Sequence, residues 1–68
     1  MPDVDDPQPP AYVRPESPIA VEVQHDDGVW YPGMCLAFRG PRITVRYSVG
    51  VGEQYQRAVD ARLVRLRT

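Results

Sequence analysis

The segment ITVRYSV, residues 43–49, decides the fold of this chain. Its apolar and polar residues alternate throughout: Ile43, Val45, Tyr47 and Val49 against Thr44, Arg46 and Ser48. Successive side chains of a β-strand point to opposite faces of a sheet, so this period of two is typical of a strand with one buried face. We therefore predict a strand over residues 43–49 and follow the same pattern outward along the chain.

Upstream, the alternation predicts two further strands joined by a tight hairpin. Residues 19–25 alternate, with Ile19, Val21, Val23 and His25 on one face. The sequence Asp26-Asp27-Gly28 that follows is a turn signal, because glycine accepts a positive φ angle. Residues 29–39 form the second strand, and the Pro32-Gly33 pair inside it predicts a sharp bend.

Downstream, short elements continue to the end of the chain. The sequence predicts a turn at 39–42, a loop at 50–53, a strand at 54–59, a helical turn at 60–62 and a strand at 63–67. The predicted fold class is therefore all-β, a small five-stranded antiparallel barrel whose closure removes exposed strand edges. The alternative is a helix over residues 53–67, where many residues are good helix formers.

The first 18 residues differ from the rest in composition. They hold six of the eight prolines and four acids, which are Asp3, Asp5, Asp6 and Glu16. Such a composition buries too little apolar surface to order itself, so we predict a disordered acidic arm over residues 1–18 and one barrel domain over residues 19–68. A chain of 68 residues has a thin core, which leaves self-association open as a source of stability.

Residue usage indicates the compartment in which the protein works. The one cysteine, Cys35, cannot form an internal disulfide, so a reducing cytoplasm is expected. The chain has no lysine or asparagine, a skew that fits a GC-rich, bacterial coding sequence. The N-terminus lacks a signal-peptide pattern and no apolar run is long enough for a membrane span, so no membrane partner is expected.

Residues that catalyse reactions or bind metals are scarce. His25 and Cys35 are the only candidates for a nucleophile, a base or a soft-metal ligand, and one of each forms neither a zinc site nor a catalytic triad. We interpret His25 as a polar turn residue and Cys35 as a small strand residue. The sequence therefore predicts no enzyme, no metal site and no cofactor.

Charge is divided unevenly between the two halves of the chain. Residues 1–38 carry seven acids and one arginine, whereas residues 39–68 carry seven arginines and two acids. A basic stripe across the later strands, with a tyrosine as a stacking surface, makes nucleic-acid binding the alternative function. The arginines that would form this stripe are Arg39, Arg42, Arg46, Arg57 and Arg65.

Three features together resemble Tudor-like and Agenet-like domains of the SH3-like barrel class. They are DDGVWYPG at residues 26–33, the alternating strand that carries Tyr47, and a glycine-bearing loop followed by a last strand with LVRLR at residues 63–67. The resemblance extends over residues 21–67. It implies a small barrel that binds peptide side chains, often methylated lysine or arginine, in an aromatic cage at one end.

This resemblance is carried to the site one residue at a time. Tyr31 and Tyr47 lie where two cage aromatics are expected, whereas Gln24 and Gly50 stand where the family has aromatic residues. Tyr47 also lies on the apolar face of its strand, so a core role stays open beside the cage role. Half of the expected cage is therefore present at the matching positions.

Other residues are candidates to complete the site. Trp30 and Tyr31 are adjacent and project to opposite faces of a strand, and we favour packing for Trp30 and binding for Tyr31, although Trp30 stays a candidate ligand contact. Tyr55 supplies another ring, and Glu53 supplies a carboxylate for a cation. The sequence thus predicts a non-catalytic module that binds a protein or peptide through this aromatic rim. A structural subunit of an oligomer is a further alternative.

Overall fold

The structure is a computed structural model, and it describes residues 10–67. These residues form one antiparallel sheet of six strands and contain no α-helix. The strands are β1 (Tyr12–Val13), β2 (Ile19–Gln24), β3 (Trp30–Arg39), β4 (Arg42–Gly50), β5 (Glu53–Asp60) and β6 (Val64–Leu66), with a 3₁₀ turn (Ala61–Leu63) before β6. The predicted all-β class is confirmed, and the alternative of a C-terminal helix is wrong because that region forms β5, the turn and β6.

The sheet is open, and it has one strand more than the sequence predicts. Its order is β5-β4-β3-β2-β6, so the last strand of the chain returns to pair with β2, while β5 and β6 form the two ends. The prediction of five strands in a closed sheet is corrected on both counts. The extra strand is β1, which pairs with β3 on the same side as β2, at Tyr12↔Arg39 and Val13↔Phe38. It exists because β3 is ten residues long and β2, with six, reaches only as far as Cys35.

The predicted arm is tied to the sheet in its second half. Residues 1–9 lie outside the described residues. Among residues 10–18, Tyr12 and Val13 form β1, and the Arg39 guanidinium lies 5.5 Å from the centre of the Tyr12 ring. A cation over an aromatic face adds a modest attraction, so Tyr12 has a structural role that composition does not reveal.

One contiguous core lies on one side of the sheet. Its buried members are Val21, Val23, Cys35, Val45, Tyr47 and Val59. Val23 and Val45 are completely buried, and each is a central member of a strand whose alternation the sequence predicts. The outward residues of the same strands are more exposed, so the predicted inward faces of residues 19–25 and 43–49 are confirmed.

Strand β3 is not interrupted at Pro32-Gly33, where the sequence predicts a sharp bend. Strand β3 stays in register with β2 through both residues, with Glu22 opposite Pro32. The ladder between β3 and β4 begins only at Gly33, so proline, which has no N–H, lies at the end of that ladder. The register shift of β3 lies further along, between Cys35 and Ala37.

Gly33 is present because two strands approach each other closely. A Cβ atom at this position would lie 2.7 Å from the Cβ atom of Tyr47 and 2.7 Å from the backbone oxygen of Arg46. Both distances are far shorter than a van der Waals contact. The absent side chain therefore lets β4 approach β3 closely at Arg46 and Tyr47.

Candidate functional site

Four aromatic rings gather at one end of the sheet and form what we call the aromatic cluster: His25, Tyr31, Tyr47 and Tyr55. His25 directly follows β2, Tyr31 is the second residue of β3, and Tyr55 lies opposite Tyr47 in the β4–β5 ladder. Antiparallel pairing brings the end of one strand beside the start of the next. The fold therefore places four rings from four strand ends on one rim.

The His25 ring is the centre of the aromatic cluster. Its centroid lies 4.8 Å from that of Tyr55, 5.6 Å from that of Tyr47 and 6.0 Å from that of Tyr31. A 2.8 Å hydrogen bond joins the Nδ1 atom of His25 and the hydroxyl of Tyr47. Tyr47 and Tyr55 are stacked at 5.6 Å with an interplanar angle of 24°.

The four rings differ in their exposure to solvent. Tyr47 is only 3% exposed and belongs to the core, so it supports the cluster from below. His25, Tyr31 and Tyr55 are half-buried, each with part of its ring at the surface. A partner can therefore touch these three rings directly, whereas Tyr47 is almost inaccessible to solvent.

The Asp-Gly turn between β2 and β3 fixes the position of His25. Gly28 adopts a φ of 82° and donates its N–H to the carbonyl of His25 at 2.8 Å, and the N–H of His25 donates to the carbonyl of Val29 at 2.9 Å. The side chain of Asp27 accepts from the N–H of Val29 at 2.9 Å. The predicted hairpin is confirmed, and it presents His25 and Asp27 at the rim.

A positive charge from the chain itself lies in the aromatic cluster. The guanidinium carbon of Arg57 is 4.9 Å from the ring centre of Tyr55 and 5.9 Å from that of Tyr47. The same side chain forms a 3.1 Å ion pair with Asp26. Cation–π attraction and the carboxylate act together here, so the rim already accommodates a planar cation.

Carboxylates surround the outer side of the rim. The hydroxyl of Tyr31 donates to Asp27 at 2.6 Å, and this bond is the main reason that the pKa of Asp27 is lowered and that of Tyr31 is raised. Glu53 is exposed, and its charge raises the pKa of Tyr31 further. Burial raises the pKa of Tyr47. The rim therefore combines aromatic faces with negative charge.

Replacement of Tyr31 by phenylalanine is expected to raise the pKa of Asp27. The hydrogen bond from Tyr31 stabilises the ionised carboxylate, and a lowered pKa contributes stability that is lost as pH falls through the folded-state value. An NMR titration of the Asp27 carboxyl carbon checks this. Tyr12→Phe is the control, since Tyr12 lies on β1, and an unchanged Asp27 pKa in Tyr31→Phe contradicts the assignment.

Trp30 lies apart from the aromatic cluster. It is half-buried and packs under the guanidinium of Arg65, whose carbon is 4.1 Å from its ring centre and whose Nε donates to Glu22 at 2.7 Å. Tyr31, by contrast, packs against the core. The predicted packing role of Trp30 is therefore corrected: the core-side ring is Tyr31, because the strand begins with Trp30 on the opposite face. The binding role of Tyr31 stays a prediction.

The predicted arginine stripe is divided between different surfaces. Arg39 and Arg42 face each other across the β3–β4 turn, and Arg46 is exposed on the face of β4 opposite Tyr47. Arg57 is half-buried in the aromatic cluster, and Arg65 is held by Glu22 beside Trp30. Two of the five arginines are thus engaged in ion pairs on different faces of the sheet.

His25 is the site residue that the sequence interpretation missed. Its neighbours Asp26 and Asp27 suggest a polar turn residue, yet its ring contacts all three tyrosines of the cluster. The signal that identifies it is its parity, since it continues the inward face of Val21 and Val23. Cys35 is buried in the core, as a small strand residue can be, and burial raises the pKa of its thiol.

Residues 10–67 hold no group of three or more histidine, cysteine or acidic residues arranged to bind a metal ion. Over the same range no helix has the length and apolar character needed to cross a membrane. In comparisons with known proteins, the chain matches no family model, no curated protein and no solved structure.

Proposed function

We propose that this chain is a small non-catalytic binding module that recognises a protein or peptide partner through the aromatic cluster. The observation that supports this most is the convergence of His25, Tyr31 and Tyr55 as half-buried rings on one rim. Aromatic side chains are enriched among the residues that dominate binding energy at interfaces, because they bury a large rigid surface.

The proposal includes a Tudor-like, SH3-like arrangement of the strands, in a sheet that is open between β5 and β6. Its support is the sheet order, in which β6 returns beside β2, and the 3₁₀ turn directly before β6. Two of the cage positions implied by the resemblance, Tyr31 and Tyr47, lie in the aromatic cluster, and His25 and Tyr55 add rings from neighbouring positions. The rim therefore reaches four rings without aromatic residues at Gln24 and Gly50.

The ligand group that fits this rim is a cationic peptide side chain. The guanidinium of Arg57 already lies over Tyr55 and Tyr47, and Asp26 neutralises it. Asp27 and Glu53 extend the negative charge toward Tyr31, where a second cation would be attracted. Each cation–π contact contributes about 0.5–2 kcal/mol, so two or three contacts give measurable affinity.

An NMR titration with arginine- and lysine-containing peptides, methylated and unmodified, tests the proposal. Shifts are expected at Tyr31, Tyr55 and His25. Tyr31→Ala or Tyr55→Ala is expected to weaken binding by about tenfold, since removal of one hot-spot aromatic costs more than about 1 kcal/mol. Tyr12→Ala is the matched control, an exposed tyrosine outside the cluster. Equal binding by all four chains, with the fold intact, contradicts the proposal.

Arg57→Gln is expected to tighten the binding of a cationic peptide several-fold. The substitution removes a resident competitor from the rings of Tyr55 and Tyr47 and frees the carboxylate of Asp26. An anionic partner such as nucleic acid would instead lose a contact and bind more weakly. Isothermal titration calorimetry of the parent chain and of Arg57→Gln, with one cationic peptide and one oligonucleotide, separates these outcomes. Weaker peptide binding by Arg57→Gln would count against a cationic ligand.

A further inference from the structure

Strand β5 (Glu53–Asp60) has one hydrogen-bonding edge without a partner in the part of the chain that the structure describes. It lies at one end of the sheet and pairs only with β4 within residues 10–67. Every second residue of such an end strand directs its N–H and C=O groups away from the sheet, so these groups are available to another strand. With eight residues, β5 offers a much longer edge than β6, which has three residues and forms the opposite end.

Strand β5 lacks the features with which natural proteins protect a free edge, namely proline, lysine, a bulge or a very short strand. Its sequence EQYQRAVD contains neither proline nor lysine, and its register with β4 is regular over residues 54–60. Arg57 is the one basic residue of the strand, and its guanidinium is turned onto the ring of Tyr55 and paired with Asp26. This charge therefore lies over the face of the sheet and leaves the backbone edge open.

The residue pattern of β5 is complementary to a second copy of itself. Around a two-fold axis perpendicular to the sheet, antiparallel pairing places opposite each other two residues that point to the same face. With the axis at Tyr55, Glu53 lies opposite Arg57 of the second copy, and the symmetry repeats this pair of opposite charges. Gln54 then lies opposite Gln56 in the same way. An axis at Gln54 or Gln56 would not bring these charges together, and an axis at Arg57 would bring two guanidinium groups face to face.

We propose that a second copy of this chain pairs antiparallel with the edge of β5, with the two-fold axis at Tyr55, and extends the sheet across both copies. Backbone hydrogen bonds along the edge supply the attraction, and the cross-strand charges select the register. The core of a 68-residue chain is thin, and association with another chain is one way in which such small domains gain stability.

The second copy contributes residues to the aromatic cluster in this arrangement. The axis is perpendicular to the sheet at β5, so both copies present the cluster on the same face. Directly opposite residues of an antiparallel pair have Cβ atoms about 4.5–5.5 Å apart, so the two Tyr55 rings become neighbours. Glu53 of the second copy lies beside Arg57 and adds a carboxylate to the one that Asp26 provides. The two clusters then form one rim with two sites; this consequence rests on the proposed function, whereas the pairing itself is measured without any ligand.

Sedimentation velocity of the full chain tests the pairing, from about 10 μM to about 1 mM, a range that includes the weak affinities of small interfaces. The mean mass is expected to rise with concentration from 7.7 kDa toward twice that value. In NMR spectra over the same range, amide shifts are expected at residues 53–57. A mass that stays at 7.7 kDa throughout overturns the proposal, and so does a dimer whose concentration-dependent shifts lie away from β5. Shifts at residues 53–57 that follow addition of the cationic peptide at constant monomeric mass would show that the edge binds a foreign strand, which also overturns it.

Charge reversal at Glu53 tests the register. Glu53→Arg, at an exposed position, places two arginines opposite each other on both sides of the axis and is expected to weaken dimerisation at least about tenfold. Glu16→Arg is the matched control, since it makes the same change of charge at an exposed position outside β5. Equal dimerisation of the two variants overturns the proposal.

A mixture of two variants restores the charge pairs. Arg57→Glu alone places two acids opposite each other and is also expected to dimerise at least about tenfold more weakly than the parent chain. Mixed with Glu53→Arg, it again has opposite charges at both positions, so the mixture is expected to form heterodimers as tightly as the parent chain forms homodimers. Because Arg57→Glu also loses the ion pair with Asp26, circular dichroism monitors its fold, and Arg57→Gln replaces it in the mixture if it unfolds. A folded mixture that dimerises no better than Glu53→Arg alone overturns the proposal.

Discussion

Gly33→Ala is expected to lower the free energy of unfolding by about 1–3 kcal/mol, the cost of overpacking a well-filled interior. A Cβ atom at Gly33 would lie 2.7 Å from the Cβ of Tyr47 and 2.7 Å from the carbonyl oxygen of Arg46. One of these is backbone and the other begins a buried side chain, so neither can move without separating β3 from β4. Because a domain of this size loses about 4–8 °C of Tm per kcal/mol, thermal unfolding followed by circular dichroism measures the effect.

Gly50→Ala is the matched control for this experiment. Gly50 ends β4 and has no heavy atom within 4 Å of the position that its Cβ would take, and its φ is not positive. A surface replacement of this kind changes stability by no more than about 0.5 kcal/mol, and restriction of the unfolded chain can make it slightly favourable. Equal unfolding temperatures for Gly33→Ala and Gly50→Ala would contradict the close approach of β3 and β4 at Gly33.

The strands are predictable from the sequence because local alternation and burial agree. In residues 43–49 the apolar parity selects Val45 and Tyr47, and these are the residues that the fold buries. The turn at Gly28 is equally local, since glycine adopts a positive φ without the steric cost that other residues have. For these two features the cause lies within a few residues, and the prediction and the structure agree.

The features that were mispredicted depend on distant partners. The sequence around Gly33 predicts a bend, but a glycine is required there because Tyr47, fourteen positions later in the chain, approaches closely. Strand β1 is proline-flanked and only two residues long, and it exists because the end of β3 extends beyond β2. A window of ten residues reveals neither the strand lengths nor the pairing partners. Tyr12 was therefore predicted, from composition alone, to lie in a disordered arm.

The site was predictable in part for the same reason. Parity places Tyr31, Tyr47 and Tyr55 on inward faces, and register then brings them together. The position of Trp30 followed the opposite parity, and its partner Arg65 lies thirty-five residues away. His25 was interpreted from its acidic neighbours, although the alternation of β2 already pointed its ring inward. Strand parity is thus a better guide to a rim residue than the chemistry of adjacent residues.

Tyr47→Ala is expected to destabilise the fold more than truncation of any other ring in the aromatic cluster. The side chain is 3% exposed and packs in the core, so its truncation leaves a cavity that costs about 3–5 kcal/mol, a large share of the stability of a small domain. We expect a urea titration at room temperature to show that the variant is already largely unfolded without urea. A nearly unchanged midpoint would contradict the core position of Tyr47.

Tyr47→Phe separates the ring of Tyr47 from its hydroxyl. Phenylalanine keeps the packing and the stacking on Tyr55, and it removes only the 2.8 Å hydrogen bond with His25, which costs about 0.5–1.5 kcal/mol. We expect a folded protein whose His25 ring is less fixed, visible as altered histidine ring signals. Because Tyr47→Ala removes the fold together with the rim, loss of binding in that variant identifies no ligand contact. If Tyr47→Phe binds the cationic peptide as the parent chain does and Tyr55→Ala does not, the rings that touch the ligand are those at the surface, and Tyr47 acts by holding them in place.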